Sequence, residues 1–394
     1  MQTLQPKQRL MILISGIFVE LIIGTVYAYS VIRVFLENEL QLTHTESSIP
    51  YLTSLAIFAL MVMVTGRYMT KRNFLLFLIT GILLIGLGYI ISAFATHYLI
   101  FTLSYGLMIG SGVGILYSIP IQIIQTVYDK NQGLAVGLTV GGFGLSTVIT
   151  APLLQMLFST QGFSNTLIIF GISSLIILSL LMYFLLNNIH VKLLYKRQKE
   201  VVYHANKKMF SLFFVIFMIG IMFGLSMIGL TGYIGIEYFG LSISEISLFM
   251  ILFASCNGLS RPLFGFIYDK LGLKFSIILL SMITILISAL YVLFNLNTTL
   301  LFVVTISFSW ATVGGWLSLM PIITKDVFGK NSFNRTYGNM YLSYGFAAVL
   351  GNLYTSAMID ANIALNVIFI PVMILSLLVI ATMLIAKIKI VKTL

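Results

Sequence analysis

The sequence predicts an all-α membrane protein, with twelve transmembrane helices arranged as two pseudo-symmetric six-helix bundles. Three observations lead there. Of the 394 residues, 59% are apolar and only 8% are charged, whereas soluble domains carry about 25% charged residues. No water-facing surface can be built from that composition, so lipid is the solvent for most of the chain. Apolar stretches of about 20 residues, the length a spanning helix needs, recur at approximately 10–34, 48–66, 74–94, 98–119, 132–157, 164–186, 209–233, 243–267, 275–293, 299–320, 335–358 and 363–386. The third observation is an internal echo. The run Gly66-Arg67-Tyr68-Met69-Thr70-Lys71 precedes Gly265-Phe266-Ile267-Tyr268-Asp269-Lys270 by 199 residues. Pro120, Asn131, Gly137 and Gly144 pair with Pro321, Asn331, Gly338 and Gly345 at 200 or 201. A duplicated six-span unit is the signature of carriers whose halves rock about a central site.

Lys7 and Arg9 before an apolar run superficially suggest a secretory signal. The run is about 25 residues, too long for a signal core, and is expected to be the first span. It carries Glu20 about ten residues in, near the bilayer midplane. Gly16, Gly24 and Tyr27 share its face. An acid at that depth must be paired, protonated or wet. It is either a buried carboxyl bonded to a neighbouring helix or a proton-coupling group. Arg33, near the far end of the same span, is expected to pair with Glu37 or snorkel to the interface.

Glycines crowd the fourth and fifth spans at 110, 112, 114, 133, 137, 141, 142 and 144. They lack the strand and the Lys-Ser/Thr pair of a phosphate loop. Small residues at helical spacing let helix backbones approach closely instead. Tyr117 and Phe143 lie beside them as candidate cavity-lining residues. The expected division is a first bundle at 1–187, a basic linker at 188–208 and a second bundle at 209–394.

The eighth span holds Asn257 and Arg261 one turn apart, followed at once by Pro262. A lone cation near a bilayer centre costs roughly 2.5–3.5 kcal/mol on insertion scales, so it faces a partner or a watery cavity. Two readings stand: Arg261 holds the carboxylate of a transported anion, or it is buried against Glu20 or backbone carbonyls for structure. Pro262 removes the hydrogen bond to the Gly258 carbonyl, which predicts a local kink. Asp269 and Lys270, with Lys274, form a charged turn expected to hold two helices together and gate one conformation. In the eleventh span Tyr337, Tyr341 and Tyr344 recur at helical spacing. They either bond a carboxylate or form an interfacial belt, which suits Tyr337 better than the deeper Tyr344.

The net charge of +11 is a matter of topology. With both termini in the cytoplasm, 20 of the 22 Lys and Arg residues fall on the inner side, Arg33 and Arg261 being the exceptions. That is the positive-inside pattern of a multi-pass cell-membrane protein. The basic residues then meet lipid headgroups rather than nucleic acid. Cys256 is the single cysteine, so no intrachain disulfide exists. His44, His97, His190 and His204 fall between the spans, and the thiol has no adjacent base. No metal site, cofactor or enzymatic centre is expected.

These stretches resemble the major facilitator superfamily, and within it the oxalate/formate exchanger and monocarboxylate transporter group. The residues that carry the resemblance are Gly24-Thr25-Val26-Tyr27, Gly110 to Tyr117, Tyr128 to Gly137 leading into Gly141-Gly142-Phe143-Gly144, and Asn257-Gly258-Leu259-Ser260-Arg261-Pro262-Leu263-Phe264-Gly265. The resemblance implies the major facilitator fold, a functional monomer, carboxylate binding at Arg261, and substrate contacts at Tyr27 and Tyr117. Two departures matter. Tyr344 stands where oxalate-type members place a lysine, and Asn257 stands where many animal monocarboxylate members place an acid. Thr70 also replaces the usual aspartate of the first cytoplasmic motif.

A dianion needs two countercharges for cheap desolvation and a monoanion needs one. With Arg261 the only deep cation, the expected substrate is a small monocarboxylate such as lactate, pyruvate or formate, moved with a proton taken by Glu20. Residues expected to line the site are Arg261, Tyr27, Tyr117, Asn257, Tyr344 and Phe143. The alternatives are anion exchange of the oxalate/formate type and, further off, drug efflux.

Overall fold

The computed structural model describes residues 5–128, 130–187, 207–293, 298–361 and 363–388. Among them the chain is helical throughout, with short connections. The first half comprises α1 (Pro6–Leu40), α2 (His44–Tyr68), α3 (Phe74–Ser92), α4 (Tyr98–Val127), α5 (Gln132–Gln161) and α6 (Phe163–Asn187). The second comprises α7 (Lys207–Phe239), α8 (residues 243–271), α9 (residues 273–293), α10 (Thr299–Phe328), α11 (Phe333–Asp360) and α12 (Asn366–Ile385). Ten described helices are long and apolar enough to cross a membrane. One of these, Leu248–Leu293, spans both α8 and α9. Helix α11 is not among them, because its tyrosines, asparagines and hydroxyl residues dilute its apolar character. Most of the expected linker, 188–206, lies outside the described residues, and Lys207 and Lys208 open α7.

Proline does less here than the sequence suggests. Helices α4 and α10 run to Val127 and Phe328, straight through Pro120 and Pro321, about two turns beyond the expected ends. Helix α8 likewise keeps helical backbone angles through Pro262, and the break comes at Gly272, with φ 80°. Membrane helices tolerate proline when neighbouring groups satisfy the freed carbonyl. In α8 the freed Gly258 carbonyl lies close to Gly141 of α5. At Gly272 the left-handed conformation favours glycine. Gly272→Ala is expected to destabilise the fold by about 1–2 kcal/mol, read as a lowered Tm in detergent; an unchanged Tm would mean the turn re-forms without strain.

Two helices depart from α geometry, both on the way to the site. Helix α1 tightens to a 3-10 turn over Gly24–Ala28, where the backbone at Gly24 lies against that of Phe143 on α5. Helix α4 opens into a π-helical stretch over Thr102–Ile109. Such mid-helix irregularities recur at functional positions.

The halves meet through α2 against α11 and α5 against α8, with α10 also touching α5. The contacts obey the sequence echo. Gly137 of α5 packs on Arg261 and Pro262 of α8, and Gly338 of α11 packs on Val62 and Met63 of α2. Each member of one contact lies about 200 residues from its counterpart in the other, so a pseudo-two-fold axis relates them. The helix starts on the opposite face match too. Thr43 and Glu46 form a capping box at the start of α2, and Ser242 and Glu245 form its counterpart at α8. There the Ser242 hydroxyl and backbone N–H hold the Glu245 carboxyl below its ordinary range.

Candidate functional site

Where α1, α4, α5, α8 and α11 converge, the polar residues of otherwise apolar helices face one another. Arg261 is completely buried. One terminal nitrogen donates to the Val140 carbonyl of α5 at 2.6 Å, and the other donates to Asn257 Oδ1 at 3.1 Å. Its Nε has no hydrogen-bond partner. The guanidinium carbon lies 5.7 Å from the centre of the Phe143 ring, within cation–π range. Gly144 makes this arrangement possible. A Cβ there would sit 2.8 Å from Asn257 Oδ1 and 3.0 Å from Arg261 Nε, displacing the guanidinium from the Val140 carbonyl.

Asn257 is anchored at both ends of its amide, since its Nδ2 donates to the Trp310 carbonyl at 3.1 Å. It therefore orients Arg261. Glu20 is also completely buried, and neither carboxylate oxygen has a hydrogen-bond partner. Its helix lies on α5 at Gly142, and it stands within electrostatic reach of Arg261 without bonding to it. One buried cation and one buried acid thus share a water-excluded centre while remaining unpaired with each other. Desolvation makes that arrangement costly unless something completes it.

Aromatic rings fill the rest. Tyr27, on the 3-10 turn of α1, shares a 2.9 Å hydroxyl–hydroxyl hydrogen bond with Tyr344 of α11 and meets Phe143 edge-on at 4.9 Å. Tyr117 meets Phe143 edge-on at 5.3 Å. All three α11 tyrosines are buried, so the belt reading of Tyr337 is corrected: the helix turns that face inward, because α2 covers it. Phe58 of α2 went unnoticed in the sequence, yet its ring touches Tyr117, Phe143, Tyr341 and Tyr344. A phenylalanine in an apolar helix carries no signal that could have marked it.

The two charged gate candidates separate. Asp269 accepts hydrogen bonds from the backbone N–H groups of Gly133 and Leu134, both at 2.9 Å, so a carboxylate of one half caps the N-terminus of a helix in the other. Charge and helix dipole both favour this contact. Lys270 instead lies over Phe266 of its own helix, 5.8 Å from the ring centre. Lys325 of α10 provides the second charged link, reaching the Gln132 side chain of α5, and Gln125 donates to the Pro321 carbonyl at 3.1 Å. The pseudo-symmetric partner of Asp269 is Thr70, which among the described residues bonds within its own turn, to Asn73. The lock is therefore one-sided. Asp269→Ala is expected to shift the population toward separation at this end. Spin labels on the exposed Tyr68 and Leu271, in a Cys256→Ser background, would report longer distances; an unchanged distribution would remove the gating role. Arg33 does pair with Glu37, at 2.9 Å.

Two helical bundles meeting around a buried polar centre are the architecture of a membrane carrier for small molecules. The Major Facilitator Superfamily profile matches residues 12–234 and 209–391, and the chain belongs to that superfamily, whose members here are transporters and not enzymes. The riboflavin transporter MCH5 of Saccharomyces cerevisiae is 23% identical over 88% of this chain and 71% of its own length. The oxalate:formate antiporter of Oxalobacter formigenes is 24% identical over 64% and 60% respectively. Monocarboxylate transporter 9 of Gallus gallus is 37% identical, but over only 23% of this chain and 18% of its own. A solved structure of the proton:xylose symporter XylE superposes with a TM-score of 0.65 over 96% of this chain and 95% of that one, at 16% identity, which establishes the fold alone.

Proposed function

We propose that the chain is a proton-coupled carrier of small monocarboxylates, of the lactate, pyruvate or formate class. The observation that carries the reading is Arg261: a fully buried guanidinium with a free Nε and no acid bonded to it. A substrate carboxylate would complete its hydrogen bonds and neutralise it. Asn257 and the Val140 carbonyl hold the guanidinium in place. Glu20 is the proton site, and its proximity to Arg261 lets an arriving anion change its charge state. Residues 1–187 and 209–394 rock against each other, with substrate among α1, α4, α5, α8 and α11. The basic face, where Asp269 caps α5, is the cytoplasmic face, so the closed lock there belongs to the outward-facing side of the cycle. The carrier works as a monomer in the cell membrane, with both termini inside.

The relative named as an oxalate:formate antiporter favours a second reading, exchange of two organic anions. Against it, a second carboxylate on the substrate would meet Glu20 and a ring of tyrosines rather than another cation. Uptake of labelled lactate, formate and oxalate into proteoliposomes, with and without an inward acid gradient, decides. Gradient-driven lactate or formate uptake supports the symport reading. Gradient-independent oxalate/formate exchange replaces it.

A further inference from the structure

The two seams between the halves end differently on the basic face. At the α5–α8 seam, Asp269 crosses to the N–H groups of Gly133 and Leu134, and Lys325 of α10 reaches Gln132. At the α2–α11 seam the backbone of Gly66 lies against the Asn334 carbonyl, and cations surround the contact. Arg67 and Arg335 are the next residue along each helix, and both are exposed. Lys71 and Arg72, also exposed, lie in the turn after α2, and Lys330 lies in the turn before α11. Among the described residues none of the five has an ion-pair partner. The guanidinium of Arg67 rests over the ring of its neighbour Tyr68, 5.6 Å from the centre. The described acids of this face are Asp269 and Asp326. Both are engaged elsewhere, Asp269 at the other seam and Asp326 with the Tyr268 hydroxyl at 2.6 Å. Thr70 holds the place that Asp269 occupies in the duplicate and brings no charge. Closing this end therefore gathers cations of both halves with no carboxylate among them, and like charges repel.

The surroundings decide which anion fits. Leu75 and Leu76 follow Arg72 on α3 and are 59% and 65% exposed, and Tyr68 is 56% exposed. Cations at a helix end beside an exposed aromatic ring and exposed leucines suit the membrane interface, where headgroup and acyl chain meet. Guanidinium groups bind phosphate through paired hydrogen bonds. We propose that the α2–α11 seam binds the phosphate headgroup of an anionic phospholipid, which brings from the bilayer the countercharge that Asp269 provides at the other seam and so holds this end of the carrier closed. The ligand is a lipid and not a soluble anion, because the cations border lipid-facing residues. Such a headgroup acts on the balance of conformations and not on the substrate at Arg261.

Spin labels at Tyr183→Cys and Leu271→Cys, in a Cys256→Ser background, report the separation of the halves at this face, since both positions are exposed. The protein is measured without substrate in nanodiscs of phosphatidylcholine alone and of phosphatidylcholine mixed with phosphatidylglycerol. Phosphatidylglycerol is expected to raise the ratio of short to long distances by at least about fivefold, the effect of one cation meeting an anionic surface. Inorganic phosphate added to the phosphatidylcholine discs is expected to leave the ratio unchanged. Thr70→Asp is expected to give short distances in phosphatidylcholine alone and to lose the response to phosphatidylglycerol. Arg67→Gln with Arg335→Gln is expected to abolish the difference between the two compositions. Lys274→Gln with Lys387→Gln removes the same charge from exposed positions elsewhere and is expected to keep it. Equal distributions for the wild type in the two compositions overturn the proposal. So does a response in the arginine double variant as large as in the lysine one, which would make the effect one of total charge. A shift of equal size with inorganic phosphate would make the ligand a soluble anion and overturn it too. A full response in Thr70→Asp would show that the headgroup does not stand in for the missing carboxylate, with the same consequence.

Discussion

Arg261→Ala is expected to reduce monocarboxylate uptake by at least about 30-fold. The charge it removes is fully buried and hydrogen-bonded on two of its three nitrogens. Truncating one partner of a desolvated charge pair costs about 2–5 kcal/mol in binding, a factor of roughly 30 to several thousand. The variant also leaves the Val140 carbonyl and Asn257 Oδ1 without their donor, which costs stability, so its Tm in detergent is measured beside its uptake. Arg261→Lys is a sharper control. It keeps the charge but cannot hold the Val140 carbonyl, Asn257 and a substrate oxygen at once, so its uptake should lie near that of the alanine variant. If Arg261→Ala folds normally and transports at the wild-type rate, Arg261 is a structural residue and the proposed function fails with it.

The second large effect is expected at Glu20. Glu20→Gln keeps the size of the side chain but fixes it in a neutral state. Accumulation driven by an inward acid gradient should fall by at least tenfold, because no proton then crosses with the substrate. Exchange of internal for external lactate, which needs no net proton movement, should persist. Measuring both in the same vesicles distinguishes lost coupling from lost folding. Gradient-driven accumulation that survives in Glu20→Gln would show Glu20 to be a structural carboxyl and would favour exchange as the mode of transport. The two variants also test each other. Because Glu20 and Arg261 share the centre without bonding, their effects on substrate affinity should be non-additive.

Much of the candidate site was legible because a membrane span tolerates so few polar groups. Glu20, Asn257 and Arg261 stand out from apolar surroundings, and the tyrosines of α11 recur at a helical period. What was not legible was which way each one turns. Tyr337 fits an interfacial belt by position along the helix, and only the packing of α2 onto α11 turns it to the centre. Asn257 has the chemistry of a substrate ligand, yet the Trp310 carbonyl and the Arg261 guanidinium use both ends of its amide. Asp269 and Lys270 are adjacent in one charged turn, but successive residues of a helix point about 100° apart. One therefore reaches α5 and the other lies over Phe266.

The sequence by itself determined the class of fold, the duplication and the existence of a buried cation and a buried acid. These follow from local quantities: apolar length against bilayer thickness, self-similarity at a fixed offset, and the cost of charge in hydrocarbon. Only the tertiary structure decided what those groups do to one another. It placed Gly144 so that Arg261 reaches a backbone carbonyl of the other half, and it kept Glu20 near Arg261 without joining them. The physical reason is that hydrogen bonds and charge pairs depend on distances of a few ångströms between helices far apart in sequence, and no local pattern encodes those distances.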